Sequence, residues 1–364
     1  MFFAYLFVIT NTRFNTITMR SVAAPLLKAT SSASSRRPLL RGRRKTAVAS
    51  VASTNETETK EEETKRIAIV FGATGGVGQL VCAKLLLDDS SRRYDVVHAM
   101  CRNRETGEAK LKTKNASSAS SSSSSTNARL QVTEVDVREE KNVEKVLDAI
   151  MMEGGKEAKV MVDIVCCLGT TAFPSQRWKE NNGPEQTDDI ATANVIRAAQ
   201  KICFKRNTSD TNNENNSKSR FVLISSVGVT RTDSMPYVIL NLFGVLKYKR
   251  KSEKYLEQTQ KENDDKFDYT IVRPGRLTDG PYTSYDLNTL LKATSSERRQ
   301  VEIKRGDDFD PQETSRIAVA DCVAFTLASE IARNKAFVIG TKEGDGGPER
   351  DRKKWETLFQ QSLL

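Results

Sequence analysis

Three regularly spaced glycines form the clearest chemical signal in the sequence. Gly72, Gly75 and Gly78 follow the apolar run 66–71 and precede an apolar segment with helical spacing. The first glycine permits a tight turn, the second lets the backbone approach a pyrophosphate, and the third lets helix and strand pack closely. The positive end of the helix favours phosphate charge. The motif predicts a dinucleotide site; a purely structural glycine turn is the alternative.

The residues after the second predicted strand distinguish between two dinucleotides. An NAD-binding protein usually has an acid there, which binds the ribose 2′-hydroxyl, but this chain has Arg102 and Arg104. A guanidinium binds a phosphate through paired hydrogen bonds. The sequence therefore predicts NADP(H), with Arg102 on its 2′-phosphate, and makes NAD(H) the less favoured cofactor. A solvated basic loop is the alternative.

Two further strand ends carry residues that suit the same ligand. The third predicted strand runs into Asp136 and Val137, and a carboxylate there can accept a hydrogen bond from an adenine amino group. The fourth ends at Leu168 and Gly169, where a small residue lets the backbone pass the cofactor ribose. Ligands bind at the carboxyl ends of parallel strands in open α/β sheets, so all four residues are predicted to contact the cofactor.

Strands and helices alternate along the chain as a parallel sheet requires. Apolar runs predict strands at 66–71, 95–101, 130–136, 160–168, 220–225, 268–272 and 336–340. Helical spacing predicts helices at 79–87, 142–152, 184–203, 319–332 and 355–363. This order predicts an α/β fold, a doubly wound parallel Rossmann-type sheet in a single domain, 66–364, with a small C-terminal substrate-side portion.

Charge and composition change sharply before the predicted domain. The chain carries a formal net charge of +10, but residues 1–55 hold nine Lys/Arg and no Asp or Glu. An Arg- and Ser-rich leader without acids is typical of organellar transit peptides. We therefore predict a disordered transit peptide over 1–53, an acidic linker over 54–65, and delivery to the chloroplast stroma, with the mitochondrion less favoured. The remainder is near neutral, so charge gives no argument for a nucleic-acid partner.

Four internal segments depart from the alternation of strands and helices. Three are strongly polar and are predicted to be disordered surface inserts, near 112–128, 206–219 and 260–266. The fourth, 235–246, is apolar. It predicts a buried helix, with the wall of an apolar substrate pocket or a surface for a partner as the alternatives.

Several motifs and their order resemble the atypical short-chain dehydrogenase/reductases. They are Gly72-Ala-Thr-Gly-Gly-Val-Gly78, Asp136-Val-Arg138, Phe221-Val-Leu-Ile-Ser-Ser226 and Arg273-Pro-Gly275. The segments 240–251 and 273–287 resemble, more narrowly, a plant chloroplast group related to the NADP-binding subunit of the chloroplast inner-envelope import machinery. The resemblance covers about residues 66 to 360. The predicted cofactor contacts include Thr74, Gly76 and Val77 in the first motif and Pro274 in the last.

The family that the sequence resembles reduces carbonyls with a Ser, a Tyr and a Lys. Tyr is the general acid, Lys lowers its pKa and holds the nicotinamide ribose, and Ser orients the substrate. The resemblance assigns the serine to Ser225 or Ser226. It assigns the lysine to Lys249, because the family pattern has a Glu four residues beyond the lysine and Glu253 stands there. The tyrosine position then holds Val245, which cannot donate a proton, and no YxxxK spacing occurs in the chain.

Two hypotheses for the function follow. The first is an NADP(H)-dependent plastid oxidoreductase of unknown substrate, in which Lys249 still holds the ribose. The second is a non-catalytic NADP(H) redox sensor or scaffold that binds a protein partner. Other chemistry is disfavoured: the single histidine, His98, lies within a strand and is predicted to be a core residue, so a His-ligated metal or a Ser-His-Asp triad is not expected. No apolar run reaches the roughly 20 residues of a membrane span.

Overall fold

The computed structural model describes nine segments of the chain. They are 64–86, 94–111, 129–153, 160–204, 218–263, 266–278, 299–311, 313–344 and 351–364. These residues belong to one compact unit, 60–364. The predicted transit peptide and insert 112–128 lie outside the described residues, as do nearly all of the acidic linker and most of insert 206–219.

The seven predicted strands are present with small shifts at their ends, and further strands accompany them. They are β1 (Lys65–Phe71), β2 (Val96–Cys101), β3 (Arg129–Glu134), β4 (Val160–Cys166), β5 (Ser219–Ile224), β6 (Phe267–Pro274), β7 (Leu277–Thr278), β8 (Arg299–Arg305), β9 (Thr314–Ser315) and β10 (Lys335–Glu343), of which β7, β8 and β9 are additional to the prediction. Eight of them form one sheet in the order β3-β2-β1-β4-β5-β6-β10-β8, and β7 pairs with β9 separately. Every pair in the large sheet is parallel except β10–β8.

Helices cover both faces of this sheet. They are α1 (Gly76–Leu85), α2 (Arg104–Leu111), α3 (Glu140–Glu153), α4 (Thr192–Ala199), α5 (Tyr237–Leu240), α6 (Val245–Glu262), α7 (Arg316–Ala328) and α8 (Arg352–Leu363). Helix α4 is extended at both ends by π-helical turns, Glu185–Ala191 and Gln200–Phe204. The mostly parallel sheet with flanking helices confirms the predicted α/β Rossmann-type fold.

Strand β1 shows why the sheet needs helices on both faces. Its last five residues are all buried, as expected for a central parallel strand. Successive side chains point to opposite faces, so Ala68 and Val70 join one apolar cluster while Ile67 and Ile69 join another. The chain reverses its direction of winding between β1 and β4, which are hydrogen-bonded neighbours. Such a switch point opens a crevice at the carboxyl ends of the strands.

The structure corrects two predictions. Helix α6 continues to Glu262, and Gln260 is buried, so residues 260–262 are the last turn of a helix rather than a disordered insert. The apolar stretch 235–246 is not one buried helix: it contains the short helix α5 and the first two residues of α6, and Leu242 between them is 70% exposed. No helix among the described residues has the length and apolar character needed to cross a bilayer.

Candidate cofactor site

The glycine motif forms a tight turn between β1 and α1. Gly72 has a φ of +73°, and a β-carbon there would lie 2.8 Å from the carbonyl oxygen of Cys167 at the end of β4. A β-carbon on Gly78 would lie 2.2 Å from the carbonyl oxygen of Gly72. Helix α1 begins at Gly76, with Gly75 as its N-cap. The turn therefore depends on glycine at both positions, and it presents the start of a helix to the crevice, as phosphate binding requires.

A cleft of about 330 Å³ lies beside this turn, at the carboxyl ends of β1 to β4. Its volume is within the range of ligand sites, roughly 300–1,000 Å³. Its lining is formed by residues Gly72, Thr74, Gly75, Met100, Cys101, Arg102, Lys110, Val135, Val137, Arg138, Cys167, Leu168, Gly169, Thr170, Arg177, Asn182, Thr187 and Ala191. Seven of the predicted cofactor residues therefore line one cleft. Gly76, Val77 and Gly78 lie next to it in the chain, at the start of α1.

The lining is positively charged. It contains four basic residues, Arg102, Lys110, Arg138 and Arg177, and no Asp or Glu. Such a surface favours an anionic ligand, and a dinucleotide carries at least two phosphate charges. The charge and shape of the described residues thus fit a phosphorylated dinucleotide.

Only one of the two arginines after β2 faces the cleft. Arg102 lines it, whereas Arg104 begins α2 and its Nε donates to Glu108 Oε1 at 2.9 Å. Lys110, near the end of the same helix, supplies a further cation to the cleft. The sequence interpretation missed Lys110 because α2 was not predicted. The sequence does contain this residue, six positions after Arg104, and the prediction of a helix there would have drawn attention to it.

Asp136 lies beside the cleft but is engaged by its neighbour. Its carboxylate accepts hydrogen bonds from the backbone N–H of Arg138 at 3.0 Å and from Arg138 Nη2 at 2.6 Å. The hydrogen bond from the Arg138 side chain lowers the pKa of Asp136. Arg138 also donates to the carbonyl of Glu180 at 2.9 Å, which ties the end of β3 to the loop after β4. The predicted contact of Asp136 with adenine remains a prediction.

Lys249 reaches the cleft from α6. A β-carbon on Gly169 would lie 2.9 Å from Lys249 Nζ, so the ammonium lies directly over a lining residue. Nζ is 2.8 Å from Oδ1 of Asp188, whose side chain is fully buried. Asp188 also accepts from Thr170 Oγ1 at 2.5 Å. The lysine is therefore held beside Gly169 by a buried carboxylate that the sequence interpretation did not include, and its predicted contact with the ribose remains a prediction.

The predicted serines and Pro274 lie further along the sheet, after β5 and at the end of β6. Ser225 follows β5, is 5% exposed, and its Oγ has no hydrogen-bond partner among the described residues. Ser226 donates to the carbonyl of Val227 at 3.2 Å. Val227 N–H donates in turn to the carbonyl of Pro274, the last residue of β6, at 3.0 Å. None of these residues belongs to the cleft lining, and their predicted roles remain predictions.

Comparisons with known proteins agree with this geometry. A family model described as NAD(P)H-binding matches residues 72–330. The chain belongs to this NAD(P)H-binding family. The match spans the glycine turn, the cleft, α6 and β6, and residues 72–330 include every predicted cofactor residue.

Relatives of this NAD(P)H-binding chain include two plant proteins. Protein TIC 62, chloroplastic, of Arabidopsis thaliana is 28% identical over 256 residues, which cover 69% of this chain and 33% of that protein. The protein of the same name from Oryza sativa subsp. japonica is 26% identical over 252 residues, with 68% and 43% covered. The chain thus spans less than half the length of either relative.

A solved structure supports the fold of the NAD(P)H-binding chain. The oxidoreductase ylbE of Lactococcus lactis matches with a TM-score of 0.50 and 16% sequence identity, over 82% of this chain and 98% of that chain. At this level of identity the likeness concerns the fold alone.

In this NAD(P)H-binding chain, position 245 is part of the core. Val245 is 4% exposed and packs in an apolar cluster with Val227, Val229 and Tyr237. Tyr237 donates to Asp310, and Arg231 lies 4.9 Å from the centre of its ring. Burial, reinforced by Asp310, raises the pKa of Tyr237.

Tyr248, next to Lys249 in the chain, does not take the place of the missing active-site tyrosine. Its ring packs against Gly244, where a β-carbon would come within 2.9 Å of it. No tyrosine is found among the described residues that line the cleft. The geometry of the described residues therefore offers no tyrosine for proton transfer at the cleft.

Proposed function

We propose that the protein binds NADP(H) in preference to NAD(H) and acts as an oxidoreductase on a substrate that remains to be identified. The proposal rests chiefly on the adenosine side of the cleft, where Arg102 and Lys110 face a lining that contains no acid. A free 2′-hydroxyl prefers a carboxylate partner, whereas a 2′-phosphate prefers cations.

The dinucleotide, when bound, would supply or accept a hydride. The chain's own residues would bind and orient it: the glycine turn holds the pyrophosphate, Arg102 and Lys110 hold the 2′-phosphate, and Lys249 holds the nicotinamide ribose. Asp188 would hold the Lys249 side chain in place. The proton that accompanies the hydride would come from Ser226, Lys249 or solvent, because the usual tyrosine position is a buried valine.

The two arginines after β2 provide a matched test of cofactor choice. We expect Arg102→Met to weaken NADPH binding at least about tenfold, since a charged hydrogen bond contributes about 1.5–3 kcal/mol. NADH binding should change little, because NADH lacks the 2′-phosphate. Arg104→Met is the control, since Arg104 pairs with Glu108 outside the cleft. Calorimetric titration of the three proteins with both dinucleotides measures these effects.

Each outcome is informative. Preference for NADPH that disappears in Arg102→Met supports the proposal. Equal affinity of the wild-type protein for NADPH and NADH would show that the cations serve another purpose. If neither dinucleotide binds the wild-type protein, the proposed function is wrong.

A second candidate is a non-catalytic NADP(H) sensor or scaffold for a protein partner. The buried Val245 and the absence of a tyrosine among the described lining residues favour it. NADPH oxidation measured across carbonyls, quinones and enones separates the two. Turnover that Lys249→Ala abolishes supports the oxidoreductase, whereas tight binding of NADPH without turnover supports the sensor.

A chloroplast location forms part of the proposal. Both plant relatives are named as chloroplastic proteins. The acid-free, Arg-rich composition of residues 1–55 agrees with a transit peptide, and the stroma is the expected compartment. Fusion of residues 1–60 to a fluorescent protein tests this: import into isolated chloroplasts with cleavage near residue 53 is expected, and uptake by mitochondria alone would overturn it.

A further inference from the structure

The loop that follows β4 brings a further cation to the cleft. Arg177 lies in this loop and belongs to the cleft lining. Its backbone N–H is hydrogen-bonded within the loop, whereas its guanidinium has no hydrogen-bond or ion-pair partner among the described residues. By contrast, Arg138 of the same lining is bound to Asp136. The guanidinium of Arg177 is therefore available to an anion that enters the cleft.

The loop holds Arg177 in a defined place. The Oγ1 of Thr171 and the Oγ of Ser175 are 2.9 Å apart, and the Ser175 hydroxyl oxygen accepts from the backbone N–H of Arg177 at 3.3 Å. The ring of Trp178 packs edge-on against Phe243, with 5.6 Å between the ring centres. The loop is thus braced against the segment that leads into α6. A side chain held in this way loses less freedom when a ligand binds.

Just beyond Arg177 the backbone adopts an unfavourable conformation. Glu180 and Asn181 have φ values of 59° and 61°, in the left-handed region that residues with a β-carbon rarely adopt. The Nη1 of Arg138 donates to the carbonyl of Glu180 at 2.9 Å and helps to hold this turn. Such conformations persist where the surrounding contacts enforce them, and they cluster at ligand sites. The turn directs the loop back along the cleft.

The loop spans the cleft from one predicted end of the cofactor to the other. It starts after Gly169, which lies under the Lys249 ammonium at the predicted nicotinamide end. It reaches Glu180, whose carbonyl binds Arg138 beside the predicted adenine contact. Arg177 lies between these two points of the loop, and the middle of a dinucleotide is its pyrophosphate. Since the nicotinamide half carries no other anion, the pyrophosphate is the group that suits a cation there.

We propose that Arg177 binds the pyrophosphate of the dinucleotide from the wall opposite the glycine turn. Helix α1 belongs to one apolar cluster and α4 to the other, so the glycine turn and the loop that leads towards α4 approach the cleft from opposite faces of the sheet. The inference deepens the proposed function and rests on it. The glycine turn would supply backbone N–H groups and Arg177 a charge, while Arg102 and Lys110 serve the 2′-phosphate.

Four ligands separate these roles. NADPH carries the pyrophosphate and the 2′-phosphate, NADH and adenosine diphosphate carry only the pyrophosphate, and adenosine 2′-monophosphate carries only the 2′-phosphate. We expect Arg177→Met to weaken the first three by similar factors, about tenfold, and to leave adenosine 2′-monophosphate unchanged, since one charged hydrogen bond is lost. Arg177→Lys, which keeps the charge, should recover part of the loss. Competition titrations with the full chain measure all four.

Lys179→Met is the matched control, because Lys179 is a basic residue of the same loop that lies outside the cleft lining. It should bind all four ligands like the wild-type protein, and an equal loss in this variant would show a general effect of charge and overturn the inference. Unchanged NADH affinity in Arg177→Met also overturns it while the proposed function stands.

The pattern among the ligands provides a further check. A loss in Arg177→Met that extends to adenosine 2′-monophosphate places the guanidinium at the other phosphate, and a loss that spares adenosine diphosphate places it at the nicotinamide half. Either result overturns the inference. If the wild-type protein binds NADH as tightly as NADPH, the proposed preference fails, but the role of Arg177 is still measured with NADH. Failure of the wild-type protein to bind either dinucleotide overturns both.

Discussion

Two adjacent acids, Asp188 and Asp189, hold two lysines of α6 in very different surroundings. Asp188 Oδ1 is 2.8 Å from Lys249 Nζ, and the lysine side chain is 13% exposed. Asp189 Oδ2 is 2.5 Å from Lys251 Nζ, and that lysine is 66% exposed. Exposed ion pairs contribute little, whereas a buried lysine depends on its counter-ion. The π-helical turn 185–191 gives the two neighbouring side chains these separate partners.

We expect Asp188→Asn to weaken NADPH binding by about tenfold, and Asp189→Asn to have almost no effect. Loss of the Asp188 charge leaves the Lys249 ammonium without its buried partner, so it is no longer fixed over Gly169, and an unmade charged hydrogen bond costs about 1.5–3 kcal/mol. Calorimetric titration with NADPH compares the two variants. Equal affinities would mean that Lys249 takes no part in cofactor binding.

At the scale of residues, the sequence identified the glycine turn and Arg102 because their roles depend on local spacing. It did not show that Arg104 pairs with Glu108 outside the cleft, since that depends on the direction in which α2 leaves β2. Asp188 was out of reach for a different reason. Its partner Lys249 is 61 positions away, and only packing of α6 against the π-helical turn brings the two together.

At the scale of elements, a buried ion pair joins α6 to strand β6. Glu253 is fully buried, and its two carboxylate oxygens accept from Arg273 Nε at 2.9 Å and Nη2 at 2.8 Å. Arg273 lies in β6, next to its last residue. Arg250 also donates to Glu253, at 2.7 Å, but its side chain is 26% exposed. The pair therefore fixes the helix that carries Lys249 onto the sheet.

We expect Arg273→Met to lower the free energy of unfolding by about 3–5 kcal/mol, because it leaves the Glu253 charge buried without its main partner. The double variant Arg273→Met/Glu253→Leu should recover much of this loss, since no uncompensated charge remains. Denaturant unfolding of the single and double variants measures the coupling. Lys342→Met is the control: its pair with Glu302 is largely exposed and should contribute less than about 1 kcal/mol. Additive effects of Arg273→Met and Glu253→Leu would contradict this account.

Seven strands and five helices were predicted from the sequence, and the elements that were missed include α2, α6 and β8. A buried parallel strand is a continuous apolar run, so β1, β4 and β5 are visible in the sequence. Strand β8 is polar and basic because it forms an edge, and it was missed. The apolar stretch 235–246 misled for the opposite reason: several of its apolar side chains remain exposed, with Met235 at 68% and Phe243 at 41%.

For the molecule as a whole, one buried histidine couples stability to pH. His98 is the single histidine of the chain and lies in β2, between Ile69 of β1 and Gln131 of β3. It is 1% exposed, and neither ring nitrogen has a hydrogen-bond partner among the described residues. Burial, with the nearby charges of Lys65 and Arg129, lowers the pKa of His98 to about 4. The Glu153 carboxylate, 3.9 Å away and half exposed, does not offset this.

The direction of the effect follows from proton binding. Unfolding returns His98 to a pKa near 6.5, so between pH 6.5 and 4 the unfolded chain binds a proton that the folded chain does not. Acid therefore favours unfolding, and the stability present above pH 6.5 is lost as the pH falls. From pH 7 to pH 5 this loss is about 2 kcal/mol. In His98→Leu it should vanish, while the carboxylates titrate equally in both proteins. Urea unfolding of the two proteins at pH 7, 6 and 5 measures the difference, and parallel pH profiles would show that His98 titrates normally when folded.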